Sequence, residues 1–227
     1  MEDKDIVLWN IKESKERIRK AILKDRMIIF FTRVLEDLNK YSNPNFYGRM
    51  KDIYRLLFPF DKETDPKKII QKMKNADLSL SEGLTLDNNE VNYLQFFINN
   101  LNEKCKLRDP RDAKKKIEEI QKSLVAKYLP SSSKVIEPYI LGKIISSFGG
   151  IQKISRKPSS TVQLIGAEKS LFRHMSSGSP PPKYGLIFYS NKIKNSAMKG
   201  RASRALANKL SISLRKDYYR NFPQPLS

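Results

Sequence analysis

A chain of 227 residues, 39% hydrophobic and 30% charged, can bury a sizeable core in one domain or two and is too apolar to be a disordered polyelectrolyte. Its formal charge of +20 favours polyanionic partners, because clustered Lys and Arg release counterions from a phosphate backbone. One cysteine and one histidine exclude an internal disulfide and an ordinary zinc site, no apolar run reaches the roughly 18 residues of a spanning helix, and the acidic start MEDKDIVLWN is no secretory signal. The sequence therefore predicts an intracellular chain with no cofactor, no metal and no membrane contact.

Residues 1–24 carry Ile6, Leu8, Trp9, Ile11, Ile18 and Ile22 among charges, the mark of a short helix docked by one face. From Asp25 the stripe Ile28, Phe31, Leu35, Leu38 defines a packed helix that ends at Ser42-Asn43-Pro44-Asn45. A second follows with Phe46, Met50, Ile53 and Leu57 inward, and Asp65-Pro66 opens a third, short one. Val91, Leu94, Ile98, Leu101 and Cys105 then recur at alternating spacings of three and four, a heptad seam suited to a partner helix. Asp109 can cap and Pro110 begin the next helix, with Ala113, Ile117, Ile120, Leu124 and Tyr128 as its stripe. Two helices of similar length joined by a tight break predict an antiparallel hairpin, which either packs on its own domain or pairs with another chain.

Pro130-Ser131-Ser132-Ser133 marks the end of the hairpin. Pro138–Phe148 reads as a buried helix with Ile140, Leu141, Ile144 and Ile145, stopped by Gly149-Gly150. In KPSSTVQLIGAEKSLFRHMSSGSPPPKY, residues 157–184, Leu171, Phe172 and Met175 form a helical stripe with Lys169, Arg173 and His174 largely outside it. That stripe predicts a short helix with a cationic exposed side. Gly178–Pro182 is a stiffened loop, and Gly185–Tyr189 is either a strand or a buried segment. The last helix, Lys199–Arg220, gathers Leu206, Ala207, Leu210 and Leu214 on one side and Arg201, Arg204, Lys209, Arg215 and Lys216 on the other, with Ile212 as an exception on the basic side.

Charge placement narrows the partner. Residues 151–220 hold 15 Lys or Arg against Glu168 and Asp217 alone, whereas the first 150 residues hold 29 bases and 22 acids. A basic C-terminal part with few interleaved acids predicts nucleic-acid binding over a merely solvated surface. Gly166-Ala167 would let a backbone approach closely, Lys169 and Lys183 could reach phosphate or ribose, and Glu168 could orient a base, a 2′-hydroxyl or a basic side chain. His174 reads as a packing or hydrogen-bonding residue or as an RNA contact. No Gly-rich dinucleotide loop, Walker sequence or metal-binding histidine pair is present, and His174 and Cys105 form no nucleophile motif, so the chain is expected not to be an enzyme.

Several motifs recur together: Pro158-Ser159-Ser160-Thr161-Val162-Gln163, Gly166-Ala167-Glu168-Lys169, Leu171-Phe172-Arg173-His174, Pro181-Pro182-Lys183-Tyr184-Gly185, Lys199-Gly200-Arg201 and Arg204-Ala205-Leu206-Ala207-Asn208-Lys209. This set resembles the Nop domain of box C/D ribonucleoprotein core proteins; a spliceosomal branch of the family does not share the Gly-Ala-Glu-Lys wording. KDRMIIFFTRVLEDLNK and YGRMKDIYRLLFPF are similar to the family's entry to its coiled coil, so the likeness covers about residues 25 to 220 and is strongest over 135 to 219.

The resemblance implies an all-α fold: residues 1–60 leading into a coiled-coil helical hairpin over 61–130, then a compact, mostly helical Nop domain over 131–227. It implies a non-catalytic scaffold that recognises a box C/D-like kink-turn RNA together with a bound small ribosomal-protein-like partner, supporting guide-directed 2′-O-methylation or pre-rRNA processing. Gly166, Ala167, Glu168, Lys169, Arg173, His174, Lys183, Lys199, Arg201, Arg204 and Lys209 are the expected RNA and protein contacts. Val91, Leu94, Ile98, Leu101, Ile117, Ile120 and Leu124 are the expected seam with a second Nop protein, although Asp109–Lys114 reads as an insertion relative to the family pattern. Family members dock fibrillarin, the methyltransferase, on a sizeable N-terminal domain; here about 24 residues precede the shared region, which implies a fragment, a separately supplied domain or a scaffold without direct fibrillarin contact. The expected location is nucleolar or nuclear in a eukaryote and cytoplasmic in an archaeon. Alternatives are a spliceosomal Nop-domain factor, a coiled-coil interaction protein that binds no RNA and, last, an RNA methyltransferase.

Overall fold

The computed structural model describes residues 7, 9–14, 16–17, 24–42, 44–78, 81 and 83–221. Of the docked helix expected over residues 1–24, residues 7, 9–14 and 16–17 are described and helical, and Trp9 and Ile11, two of the side chains expected to dock, are exposed. The described chain is helical throughout, with one isolated antiparallel bridge between Leu101 and Leu107 and no strand among the described residues. No described helix is long and apolar enough to cross a membrane.

Helix α1, Asp25–Lys40, buries Met27, Ile28, Ile29, Phe30, Phe31, Val34 and Leu35, far more than the expected narrow stripe. A helix that is apolar on most sides is a core helix. Helix α2, Tyr47–Leu57, turns Met50, Ile53, Tyr54 and Leu57 inward. Helix α3, Pro66–Asn75, starts where Asp65-Pro66 predicts, with the Asp65 carboxylate accepting the Lys67 N–H at 3.0 Å. It packs on α2 and on α4, Asn88–Asn99, which opens with a reciprocal capping box between Asp87 and Glu90. Phe97 of α4 meets Phe30 and Phe46 edge-on, each ring pair 5.4 Å apart.

The heptad helix expected to run through Cys105 stops at Asn99 instead. Asparagine chemistry ends it: the Asn100 side chain donates to the Phe96 carbonyl at 2.8 Å, and Asn102 Oδ1 accepts the N–H groups of Lys104 at 2.9 Å and Lys106 at 3.1 Å. Leu101, Cys105 and Leu107 remain buried, but on a tight loop. Cys105 takes φ 55° there, and burial pushes its thiol pKa up, which makes it a packing residue and not a reactive one. The next helix, α5, Pro110–Tyr128, has 19 residues against the 12 of α4, so the expected matched lengths do not hold.

The chain divides into two compact units, one comprising the described residues up to Phe30 with Val34–Ile117, the other Phe31–Arg33 with Glu118 onward. Helices α1 and α5 each contribute residues to both units.

In the second unit the spine is α12, Lys199–Asn221. Four short helices and a 3₁₀ turn pack on it: α6, Pro130–Ser133; α8, Ile151–Ser155; α9, Ser159–Leu164; α11, Asn191–Lys194; and the turn Leu186–Tyr189. Helix α7, Pro138–Phe148, packs on α8 and on the turn with Ile140, Leu141, Ile144 and Ile145 buried, and ends at Gly149 with φ 74°. Gly185–Tyr189, left open between strand and buried segment, is this 3₁₀ turn, with Ile187 its buried residue. Helix α10, Glu168–Ser177, differs from all of these: it has no buried residue.

Candidate nucleic-acid interface

The basic C-terminal residues are held by a small internal frame. The Gly185 N–H donates to the Gln163 carbonyl at 2.8 Å, the Leu186 N–H to the Ile165 carbonyl at 2.7 Å, and the Gln163 side chain to the Lys183 carbonyl at 2.7 Å. This approach leaves no room for a side chain at residue 185, where a Cβ would lie 1.9 Å from the Ile165 oxygen. Gly166 is fixed for two reasons, a φ of 83° and Leu186, whose Cγ would sit 2.6 Å from a Cβ. The space that sequence reasoning reserved for a ligand beside Gly166 is thus filled by Leu186. The Gly166 N–H is also taken, donating to the Glu168 carboxylate at 2.8 Å, so Glu168 folds back on the loop.

From Ala167 the chain enters α10. Lys169 and Arg173 are exposed and share a face with Phe172 at i, i+3, i+4 spacing. The expected core stripe is largely uncovered: Phe172 is 66% and Met175 72% exposed, with Leu171 half-buried. The helix lies between two left-handed glycines, Gly166 and Gly178. His174 is half-buried, and its Nδ1–H donates to the Ser179 carbonyl, which ties the helix to the proline loop.

The proline loop delivers Lys183 beside the first turn of α12, where a Cβ on Gly200 would lie 3.9 Å from the Lys183 Cδ. Lys199, Arg201, Arg204 and Lys209 are all exposed on that helix, while Leu206, Ala207, Leu210 and Leu214 are buried as their spacing predicts. Ile212, the exception on the basic side, is 68% exposed. Arg215 is spent inside the unit, donating to the carbonyls of Ser155 at 3.0 Å and Lys157 at 3.2 Å, where it caps α8. The site residues therefore form two groups, one along α10 and one joining Lys183 to the basic face of α12.

Two features escaped the sequence reading. Asp217 is fully buried and accepts the N–H groups of Ser131 at 3.0 Å and Ser132 at 2.8 Å, capping α6 from 86 and 85 residues away. A cue existed, because Leu129 stands at the N-cap and offers those donors nothing. The other feature is an aromatic ladder: Tyr184 and Phe188 stack at 4.5 Å, Tyr189 meets Phe188 edge-on, and the Lys199 ammonium lies 5.7 Å from the centre of Phe188. Aromatic and basic residues alternating in KYGLIFYSNKIK were its signal.

The seam residues have a different fate. Leu94, Ile98, Leu101, Ile117, Ile120 and Leu124 are already buried in the single chain and Val91 is half-buried. The chain's own packing covers these side chains.

The Nop family model, described as "snoRNA binding domain, fibrillarin", matches residues 32–225, and the chain belongs to that family. Among curated relatives, an uncharacterized NOP5 family protein of Methanocaldococcus jannaschii is 28% identical across 92% of this chain and 56% of its own length. Nucleolar protein 56 of Caenorhabditis elegans is 44% identical over 96 residues, 41% of this chain and 20% of that protein; nucleolar protein 56 of Homo sapiens is 41% identical over 104 residues, 45% and 18%. The chain thus spans about half or less of the relatives it matches. A solved chain from a fibrillarin/Nop5p complex superposes with a TM-score of 0.48 at 18% identity, over 96% of this chain and 73% of that one.

Proposed function

We propose that this chain is a non-catalytic scaffold of a box C/D-type small ribonucleoprotein, and that its second unit recognises a kink-turn RNA together with the small protein bound to it. One observation carries the reading: a helix without a buried residue, α10, and the cationic face of α12 with Lys183 beside it belong to the same unit. Exposed Phe172 and Met175 suit an apolar protein contact, since a monomer gains nothing by leaving them in water. Lys183, Lys199, Arg201, Arg204 and Lys209 suit the phosphate backbone. Neither group resembles a base-reading module, which fits irregular RNA recognised by shape and backbone.

In this reading the scaffold supports guide-directed RNA 2′-O-methylation or pre-rRNA processing. The catalytic step belongs to a separate enzyme; the family description names fibrillarin, and contact with it is part of this proposal only at the level of the assembled particle. Such a particle works in the nucleolus or nucleus of a eukaryote, or in the cytoplasm of an archaeon. The test is assembly on a kink-turn RNA with and without its small protein. The chain should bind the bare RNA weakly and the preassembled complex far more tightly; equal affinity for both contradicts the composite surface.

A further inference from the structure

Leu186, which fills the space beside Gly166, also lines a cleft of about 490 Å³ with Glu137, Tyr139, Lys143, Tyr189 and Lys194. That volume lies in the range of small-ligand sites and is far too small for a duplex. Its outer wall is the Tyr189 ring, 57% exposed. Two ammonium groups attend that ring: Lys143 Nζ lies 5.9 Å from its centre and 5.7 Å from that of Tyr139, and Lys194 Nζ also lies 5.9 Å from Tyr189. The cleft adjoins the frame that carries Lys183, since the 3₁₀ turn supplies both Leu186 and Tyr189.

We propose that this cleft holds one unpaired RNA nucleotide, its base stacked on Tyr189 and its phosphate held by Lys143 and Lys194; the proposal rests on reading the chain as RNA-binding. Every base has a flat π face, and an exposed tyrosine beside lysines gives it a stacking surface and a counter-charge at once. A base laid on the ring displaces the ammonium groups, whose long stems let them swing to the attached phosphate. Burial pushes the Glu137 carboxyl up, but hydrogen bonds from its own backbone N–H and from Asn191 N–H, the latter at 2.9 Å, and the nearby charge of Lys192 outweigh burial and hold the carboxyl below its ordinary value. A carboxylate repels phosphate, so the lysines of the lining and not Glu137 are its holders. A paired base cannot enter, because both its faces are already stacked in the helix.

The probe is a single-stranded oligoadenylate of about ten nucleotides carrying one 2-aminopurine, whose fluorescence falls on stacking, with a blunt kink-turn RNA bearing its small protein as the reference ligand. Wild type and Tyr189→Phe should bind the oligonucleotide alike and quench the probe. Tyr189→Ala should weaken that binding about tenfold and lose the quenching, with binding to the blunt complex unchanged. Lys143→Ala with Lys194→Ala should lower the salt dependence of oligonucleotide binding. Undiminished binding and quenching by Tyr189→Ala would overturn the proposal. Binding of the blunt complex but not of the oligonucleotide defeats the nucleotide cleft alone, and binding of neither defeats the RNA-binding reading with it. A Tyr189→Ala loss confined to the small protein in the absence of RNA makes the cleft a protein contact and also overturns the proposal.

Discussion

Helix α4 and helix α10 carry similar apolar spacing and meet opposite fates. In α4, Leu94 and Ile98 look from their heptad spacing like a surface offered to a partner, yet they are buried within the chain. In α10, Leu171, Phe172 and Met175 look like a stripe that packs inward, yet none of them is buried. Periodicity identifies which residues share a face; it does not say whether anything covers that face. Cover for α4 comes from residues far away in sequence, Phe30 and Phe46 around Phe97. For α10 no such cover exists among the described residues, and Phe172 and Met175 stay largely exposed.

The comparison can be broken most forcefully in α4. Leu94→Asp with Ile98→Asp would bury two unpaired charges, a change that should abolish cooperative folding of the first unit, since even one uncompensated buried charge costs several kcal/mol. Thermal unfolding followed by circular dichroism checks it. A mutant that keeps its melting temperature and merely loses mass in solution would restore the seam as an interface between chains. Next in size is Leu210→Ala on the buried face of α12, expected to cost about 2–5 kcal/mol because it opens a cavity beside the short helices of the second unit. Denaturant titration measures it, and a loss under about 1 kcal/mol would contradict the spine role.

Effects in α10 should be smaller on stability and larger on assembly. Phe172→Ala is expected to change stability by no more than about 0.5 kcal/mol, since the ring is largely in water, and to weaken binding to the RNA–protein complex about tenfold, as truncation of an aromatic contact does. Calorimetry of both processes on one preparation separates the two. Least affected of all should be the Arg201→Ala variant: unchanged melting temperature, a modest loss of RNA affinity that is the same across stem sequences, and a salt slope lower by about one unit or less. A base-dependent loss would mean that Arg201 reads sequence.

Much of the second unit was legible because its signals are local. Pro138 and Gly149 bracket α7, the Leu206, Leu210, Leu214 stripe sets the buried face of α12, and the density of cations without acids marks the exposed one. Glycine at 166 was legible as special, but its cause was not: Leu186, 20 residues on, fills the space that seemed free for a ligand. Asp217 was legible only as a stray acid, because the N–H groups it satisfies belong to Ser131 and Ser132. The early end of α4 came from turn chemistry at Asn100 and Asn102, which a hydrophobic pattern does not weigh.

The central claim is that the uncovered helix is covered in the assembled particle. Amide hydrogen exchange across Glu168–Ser177, with and without the kink-turn RNA and its small protein, tests it most directly, because a helix without buried residues exchanges fast until something packs on it. The account predicts slowed exchange in Glu168–Ser177 on assembly, with Asn88–Asn99 unchanged. Slowing across Asn88–Asn99 with no change in Glu168–Ser177 would contradict it.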